Sequence, residues 1–272
     1  VLLFRERDDP EWTDAVRMIY ERVTVVCPQN ASAYRATVWA TFRLRWLCRA
    51  FLKIVSILWS KLPFLRPVCE GIAPYFMHIM SKRFMDSLRV LKCTEQVYDI
   101  VMLTDVRDVI LQRPPQLVEN EELITGEEPV TFRESEINQK WMQSFFPEEA
   151  DLVNWVDRKV LCAGVSYGSR QGIIHYLETM RDAFMSHLER SLWVLGPDQA
   201  IHNHILREGP QTNMLPSTIS DGMIATLSCR TPEGYEFSDE LGLVTSDGRQ
   251  IAIVHQYDRY PLIQERILAR LE

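Results

Sequence analysis

The chain of 272 residues has 46% hydrophobic and 25% charged residues, a balance that supplies a large buried core and excludes disorder, collagen-like repetition and a small disulfide scaffold. Its formal charge of −7 is unevenly spread: Tyr34 to Lys92 holds eleven basic residues against only Glu70 and Asp86, a local +9, so the other 213 residues carry −16. This polarity points to a local anionic partner, either a lipid surface or a phosphate-bearing ligand, and away from nucleic acid.

No Pro/Gly/Ser-rich linker or internal repeat interrupts the chain, so residues 1–272 read as a single domain. Val1 to Phe4 reads as a short buried strand, Asp9-Pro10 opens an amphipathic helix through Arg22, and Val23 to Cys27 forms the next strand. Strand, helix and strand in this order, with apolar runs too short for helices, predict an α/β fold with a mostly parallel, Rossmann-type sheet flanked by helices.

A long helix follows over Tyr34 to Lys61, within a basic helical segment at about 34–92. At 100° per residue, Leu47, Phe51, Ile54 and Leu58 share one face, while Arg45, Arg49 and Lys53 line the opposite one. Its charge-free run from Ile54 to Ser60 falls far short of the roughly 20 apolar residues of a bilayer span. The helix therefore reads either as a core element whose arginines snorkel to solvent or as a peripheral membrane contact.

Pro63, Pro67 and Pro74 punctuate the next stretch, and a helix spans about Tyr75 to Lys92. A strand over Val97 to Leu103 then runs into Thr104-Asp105-Val106-Arg107-Asp108, and Val109 to Leu111 resumes the apolar pattern. Further along, Val130 to Phe132 and Val160 to Tyr167 read as strands, and Glu136 to Phe146, Arg170 to Leu188 and Pro197 to Arg207 as helices. The remainder is β-rich: Met223 to Cys229 is a strand, and Leu241 to Thr245 and Gln250 to Val254 form a C-terminal β-hairpin around Ser246 to Arg249.

The six cysteines (Cys27, Cys48, Cys69, Cys93, Cys162 and Cys229) have no zinc-ligand spacing and read as buried thiols, with a lumenal disulfide as the alternative. A first residue other than methionine, Val1, predicts a trimmed chain, so a cytoplasmic, a peripheral-membrane and, with an upstream anchor, a Golgi-lumenal setting all stay open. Asn30-Ala31-Ser32 is a glycosylation sequon usable only in a secretory lumen.

The end of the Val97 to Leu103 strand is the most informative point. Open α/β sheets place ligands at the carboxyl ends of their strands. Asp105 and Asp108 supply two hard oxygen ligands there, and with Arg107 beside them they can hold Mg²⁺ or Mn²⁺ against a diphosphate, whose like charges the metal screens. The bland alternative is a capped turn with a surface ion pair.

Three further motifs occur in order: CAGVSYGS at 162–169, GPDQAIHNHIL at 196–206 and IVHQYDR at 253–259. Together with YDIVMLTDVRDVILQRPP at 98–115, they resemble nucleotide-sugar-dependent glycosyltransferases of the GT-A fold, closest to families in which a D-x-R-D variant replaces the D-x-D signature. The resemblance covers roughly Lys82 to Pro261. It implies a donor such as UDP- or GDP-sugar, a glycan or lipid-linked acceptor, and Mn²⁺ or Mg²⁺ as cofactor. Carried onto this chain, it gives Asp105, Asp108 and His255 the metal-binding role, and Asp105, Arg107 and Gly164 contacts to the donor. It also puts Gln199 near the reacting sugar and makes Asp198 the catalytic carboxylate, as base if the reaction inverts or as stabiliser of an oxocarbenium-like sugar if it retains. Arg83, and with it Lys82, matches a basic position that reaches the donor phosphates, and Arg259 can add a bidentate phosphate contact. Cys162 stands where the relatives usually carry asparagine.

Two other functions compete. A haloacid-dehalogenase-type phosphohydrolase also uses a strand-end aspartate, but Arg107 occupies the place of its second acid. A non-catalytic glycosyltransferase-like protein would use the basic 34–92 segment to bind a membrane surface or a glycan.

Overall fold

The computed structural model describes residues 2–4, 24–26, 43–95, 98–105, 108–117, 123–147, 154–192, 194–208, 214–217, 221–227 and 234–269. The fold is mixed α/β and gathers into two compact units, residues 1–87 with 184–195 and residues 88–183 with 196–272. The helix expected from Asp9 to Arg22, the first part of the long basic helix up to residue 42, and the Asn30 sequon lie outside the described residues.

In the first unit, β1 (Leu2–Phe4) and β2 (Thr24–Val26) pair in parallel with Leu2 opposite Thr24, as the alternating pattern predicts. Helix α1 (Arg45–Lys61) stops at Leu62, because the residue before Pro63 is pushed out of the helical region. Helix α2 (Arg66–Ile72) starts with Pro67 in its first turn, where the missing N–H costs nothing. Leu52, Val55, Ser56 and Trp59 form the buried side of α1. Ser56 Oγ accepts the Leu188 N–H at 3.2 Å, and Trp59 Nε1 donates to Glu70 at 3.1 Å while the Arg66 guanidinium lies 4.8 Å over its ring. The apolar face read from the sequence is a different one: Leu47, Phe51 and Ile54 are exposed. α1 is apolar nearly all round, and periodicity alone does not say which apolar arc turns inward. Helix α3 (Ile79–Cys93) begins in this unit and carries a buried ion pair, Lys82 with Asp86, one turn apart.

In the second unit, β6 (Lys159–Ser169) lies between β3 (Ile100–Thr104) and β5 (Leu123–Thr131), antiparallel to both, and β7 (Met214–Ser217) extends β5 in parallel. A three-stranded sheet sets β11 (Ile253–His255) antiparallel to β4 (Val109–Leu111) and parallel to β8 (Ile224–Thr226). The mostly parallel sheet expected from the sequence is thus corrected to small mixed sheets. A run such as Val160 to Tyr167 is apolar because β6 is buried nearly end to end, and burial on both faces reads the same whichever way the neighbours run.

The hairpin is also shifted. The Ser246 to Arg249 turn forms, with Thr245 N–H donating to Arg249 O at 2.9 Å and a single bridge from Val244 to Gln250. The full antiparallel pairing of β10 (Gly242–Thr245) is with β9 (Tyr235–Ser238), and β11 goes on to β4 and β8.

Helices α4 (Glu136–Phe145), α5 (Arg170–Ser186) and α6 (Pro197–Glu208) fall where the pattern places them, and α7 (Pro261–Leu268) follows the last strand. α6 packs on α4 and β6. Ile124, Val165, Tyr167, Ile224, Ala252 and Ile253 form one core cluster that joins the two sheets where β5 meets β8. Gly126 makes that approach feasible, since a Cβ there would lie 2.5 Å from Thr226 Oγ1.

Within this cluster the Tyr167 hydroxyl donates to Gln116 O at 3.0 Å, and burial pushes its pKa up to about 12. An acid with a raised folded pKa contributes stability below its unfolded value near 10 and loses it as pH rises toward 12. Stability of the wild type should therefore fall by on the order of 2 kcal/mol more than that of Tyr167→Phe between pH 10 and 12, measured by urea unfolding at each pH; equal slopes would show that Tyr167 does not titrate as buried.

Candidate metal centre

Three chain segments converge at one edge of the second unit. Asp105 follows β3, Asp108 precedes β4, and His255 ends β11. Pairing of β11 with β4 sets His255 opposite Val109, so Asp108, one residue earlier, lies beside the histidine. His255 Nε2 stands 4.0 Å from Asp105 Oδ2 and 3.8 Å from Asp108 Oδ2, and one ligand atom from each of the three residues falls within 4.8 Å of the others. These separations exceed direct hydrogen-bond lengths. They match a cation between the groups, since ligands on opposite sides of an ion at about 2.1 Å stand about 4.2 Å apart.

The floor of this cluster is a glycine. A Cβ at Gly164 would sit 2.5 Å from His255 Cε1, 2.7 Å from Nε2 and 3.0 Å from Asp105 Oδ2. Gly164 is brought there by an irregularity in β6: Thr125 pairs with Ser166 but Gly126 pairs with Cys162, so Ala163, Gly164 and Val165 form a bulge against β5. On the other side, Asp105 N–H donates to Gly164 O at 2.8 Å and extends the β3 ladder by one residue into the site.

Two amides on α6 hold the bulge. Gln199 Oε1 accepts Ala163 N–H at 2.8 Å and its Nε2 donates to Leu161 O at 2.9 Å. Asn203, one turn later, accepts Leu161 N–H and donates to Leu161 O, both at 2.8 Å. Sequence reasoning took Gln199 as a sugar contact and missed Asn203. The available signal was their i, i+4 spacing, which sets both amides on one face of α6.

His255 is itself held on several sides. Its carbonyl accepts Leu227 N–H at 3.1 Å, and its Nδ1 lies 3.6 Å from Cys162 Sγ. A cation on Nε2 would require the ring proton on Nδ1, where Cys162 Sγ stands within reach to accept it. Cys162 is a buried thiol, as the sequence predicts, and its sulfur lies against the His255 ring. The next residue, Gln256, adopts φ 63° and ψ 31°, the left-handed region that non-glycine residues rarely occupy, and its N–H donates to Asp108 O at 2.7 Å.

The remaining predicted residues are placed as follows. Asp198 is buried in the first turn of α6, directly before Gln199. Arg259 is exposed on the short turn Tyr257–Arg259 after β11. Arg83 belongs to the first unit, on α3, with its guanidinium 5.0 Å over the Phe84 ring, and Lys82 beside it is committed to Asp86. Arg107 lies outside the described residues. Compared with known proteins, the chain matches no family model, no curated protein and no solved structure.

The buried ring of His255 cannot move aside for a new methyl group. Gly164→Ala should weaken Mn²⁺ binding by roughly 10–100-fold, the loss typical of disturbed metal-site support, read as free Mn²⁺ by electron paramagnetic resonance. Unchanged affinity in a folded Gly164→Ala protein would mean that these three side chains do not share an ion.

Proposed function

We propose that the protein is a metal-dependent glycosyltransferase of GT-A type that moves a sugar from a nucleoside diphosphate, UDP or GDP first, to a hydroxyl of a glycan or lipid-linked acceptor. The observation that carries this reading is the convergence of Asp105, Asp108 and His255 over a glycine whose missing Cβ admits the His255 ring and the Asp105 carboxylate. The order of the four motifs along the chain supports it from the sequence side.

The donor set suits the cofactor. Two carboxylates and a neutral imidazole form a mixed oxygen and nitrogen set that Mn²⁺ accepts more readily than Mg²⁺. When bound, such a cation supplies positive charge that makes a diphosphate a better leaving group. The chain's own residues contribute position. Asp105 and Asp108 orient the phosphate end of the donor, and Gly164 lets the His255 ring stand beside them.

Gln199 has both ends of its amide engaged with β6, so its part is to hold Ala163 and Gly164 rather than to touch sugar. Asp198 stands one residue away on the same helix turn. As the acceptor oxygen bonds to the anomeric carbon, the bond from that carbon to the diphosphate oxygen breaks with its electron pair leaving on the diphosphate. The acceptor proton passes to Asp198 in the inverting case; in the retaining case the carboxylate faces the positive charge on the sugar.

The test is a thermal-unfolding panel of UDP-, GDP-, CMP- and dTDP-linked compounds with and without Mn²⁺. One nucleotide should raise the melting temperature only with Mn²⁺, equivalent to about 2.7 kcal/mol at a hundredfold excess over Kd. Asp108→Ala and His255→Ala should each abolish the rise. Absence of any metal-dependent shift across the panel would sink the transferase reading.

A further inference from the structure

The first unit carries a second feature that the metal centre does not use. Among the described residues, fourteen large apolar side chains are exposed, and eight of them fall between Leu44 and Val68. On α1, Trp46, Leu47, Ala50, Phe51, Ile54 and Ile57 occupy an arc of about 140° at 100° per residue. This arc faces away from the buried Leu52, Val55 and Trp59. Trp46 is 71% exposed, and Phe64, in the turn just after the helix, is 74% exposed. Contiguous exposed apolar surface of this kind marks a binding face.

The charges beside the stripe identify the occupant. From Arg43 to Arg66 the chain has six basic residues, Arg43, Arg45, Arg49, Lys53, Lys61 and Arg66, and no acidic one. All six are exposed. Arg45, Arg49 and Lys53 follow one another at i, i+4 spacing along one border of the apolar arc. A second copy of the same face would bring like charges together. An acidic protein face would satisfy the bases but not a stripe of tryptophan, phenylalanine and isoleucine. A bilayer containing anionic lipid satisfies both, with headgroup phosphates taking the bases and the acyl boundary taking the stripe. No helix among the described residues is long and apolar enough to cross a membrane.

We infer that the α1 face is a docking surface for anionic lipid bilayers, on which the helix lies in the plane of the interface with Trp46, Ile54 and Ile57 entering the acyl boundary. This inference is independent of the transferase reading. It would also hold for a protein without catalytic activity.

Flotation of the full chain with phosphatidylcholine vesicles, with and without phosphatidylserine, tests it. Binding should require phosphatidylserine and weaken as salt is raised. Each base near an anionic surface contributes about a fivefold gain in affinity, so Arg45→Glu/Arg49→Glu/Lys53→Glu should lower partitioning by on the order of a hundredfold. Trp46→Ser/Ile54→Ser should lower it by about tenfold or more through lost apolar burial. Both variants alter exposed positions, so their melting temperatures and Mn²⁺ affinities should match the wild type, which separates this surface from the metal centre. Failure of the wild type to float with phosphatidylserine vesicles, undiminished flotation of the triple variant, or concentration-dependent dimerisation abolished by Trp46→Ser/Ile54→Ser would each overturn the inference.

Discussion

The candidate centre depends on one backbone irregularity and on the two amides that hold it. A regular antiparallel ladder through β6 would continue the register that Ser166 and Thr125 begin; the bulge at Ala163 to Val165 instead turns Gly164 toward Asp105 and His255. Backbone groups at Leu161 and Ala163 take their partners from Gln199 and Asn203. A buried donor or acceptor left without a partner costs about 1–3 kcal/mol, so the α6 amides stabilise a strand shape that its neighbours alone do not fix. The helix carrying Asp198 is thereby locked to the strand carrying Gly164, and any change at Gln199 reaches the Asp105, Asp108 and His255 cluster through Ala163.

Strain and charge gather at the same edge. Gln256 takes a left-handed backbone conformation that costs a β-carbon-bearing residue of order 1–3 kcal/mol. Its N–H reaches Asp108 O and ties the turn before β4 to the end of β11. Asp105 and Asp108 are held with carboxylate oxygens within 4.8 Å of one another; two ionised carboxylates at that distance would repel by on the order of 3 kcal/mol at the effective dielectric near a protein surface. A divalent cation between the two carboxylates would reverse the sign of that interaction.

Much of the second unit was legible in the sequence because its signals are local. The proline at the start of α6, the apolar run of β6 and the acidic residues after β3 each mark a boundary that the neighbours alone determine. Asp105, Asp108 and His255 were legible as a set only through motif order, since their proximity depends on strand pairing between residues separated by most of the chain. Strand direction was not legible. It is decided by which partners meet, and the doubly buried β6 carries no mark of direction. The partner of β10 was missed for a related reason: the Asp247-Gly248 turn favours a hairpin with the following segment, but β11 pairs with both β4 and β8, leaving β9 to complete β10.

The face of α1 illustrates the opposite limit. Hydrophobic periodicity separates faces when one side of a helix is polar, and α1 has no wholly polar side. Its two apolar arcs are therefore equivalent in pattern, and the difference between them is packing: Trp59 finds Glu70 and Arg66, and Ser56 finds the Leu188 N–H, so that arc turns inward. What is left outside is an apolar arc bordered by bases without a single acid between Arg43 and Arg66. A helix evolved only for core packing has no use for that charge bias, because acids and bases serve equally to solvate its outer side. Bias toward one sign beside exposed aromatic and branched side chains is what an anionic interface would select, and it covers six of the eleven bases between Tyr34 and Lys92, those from Arg43 to Arg66.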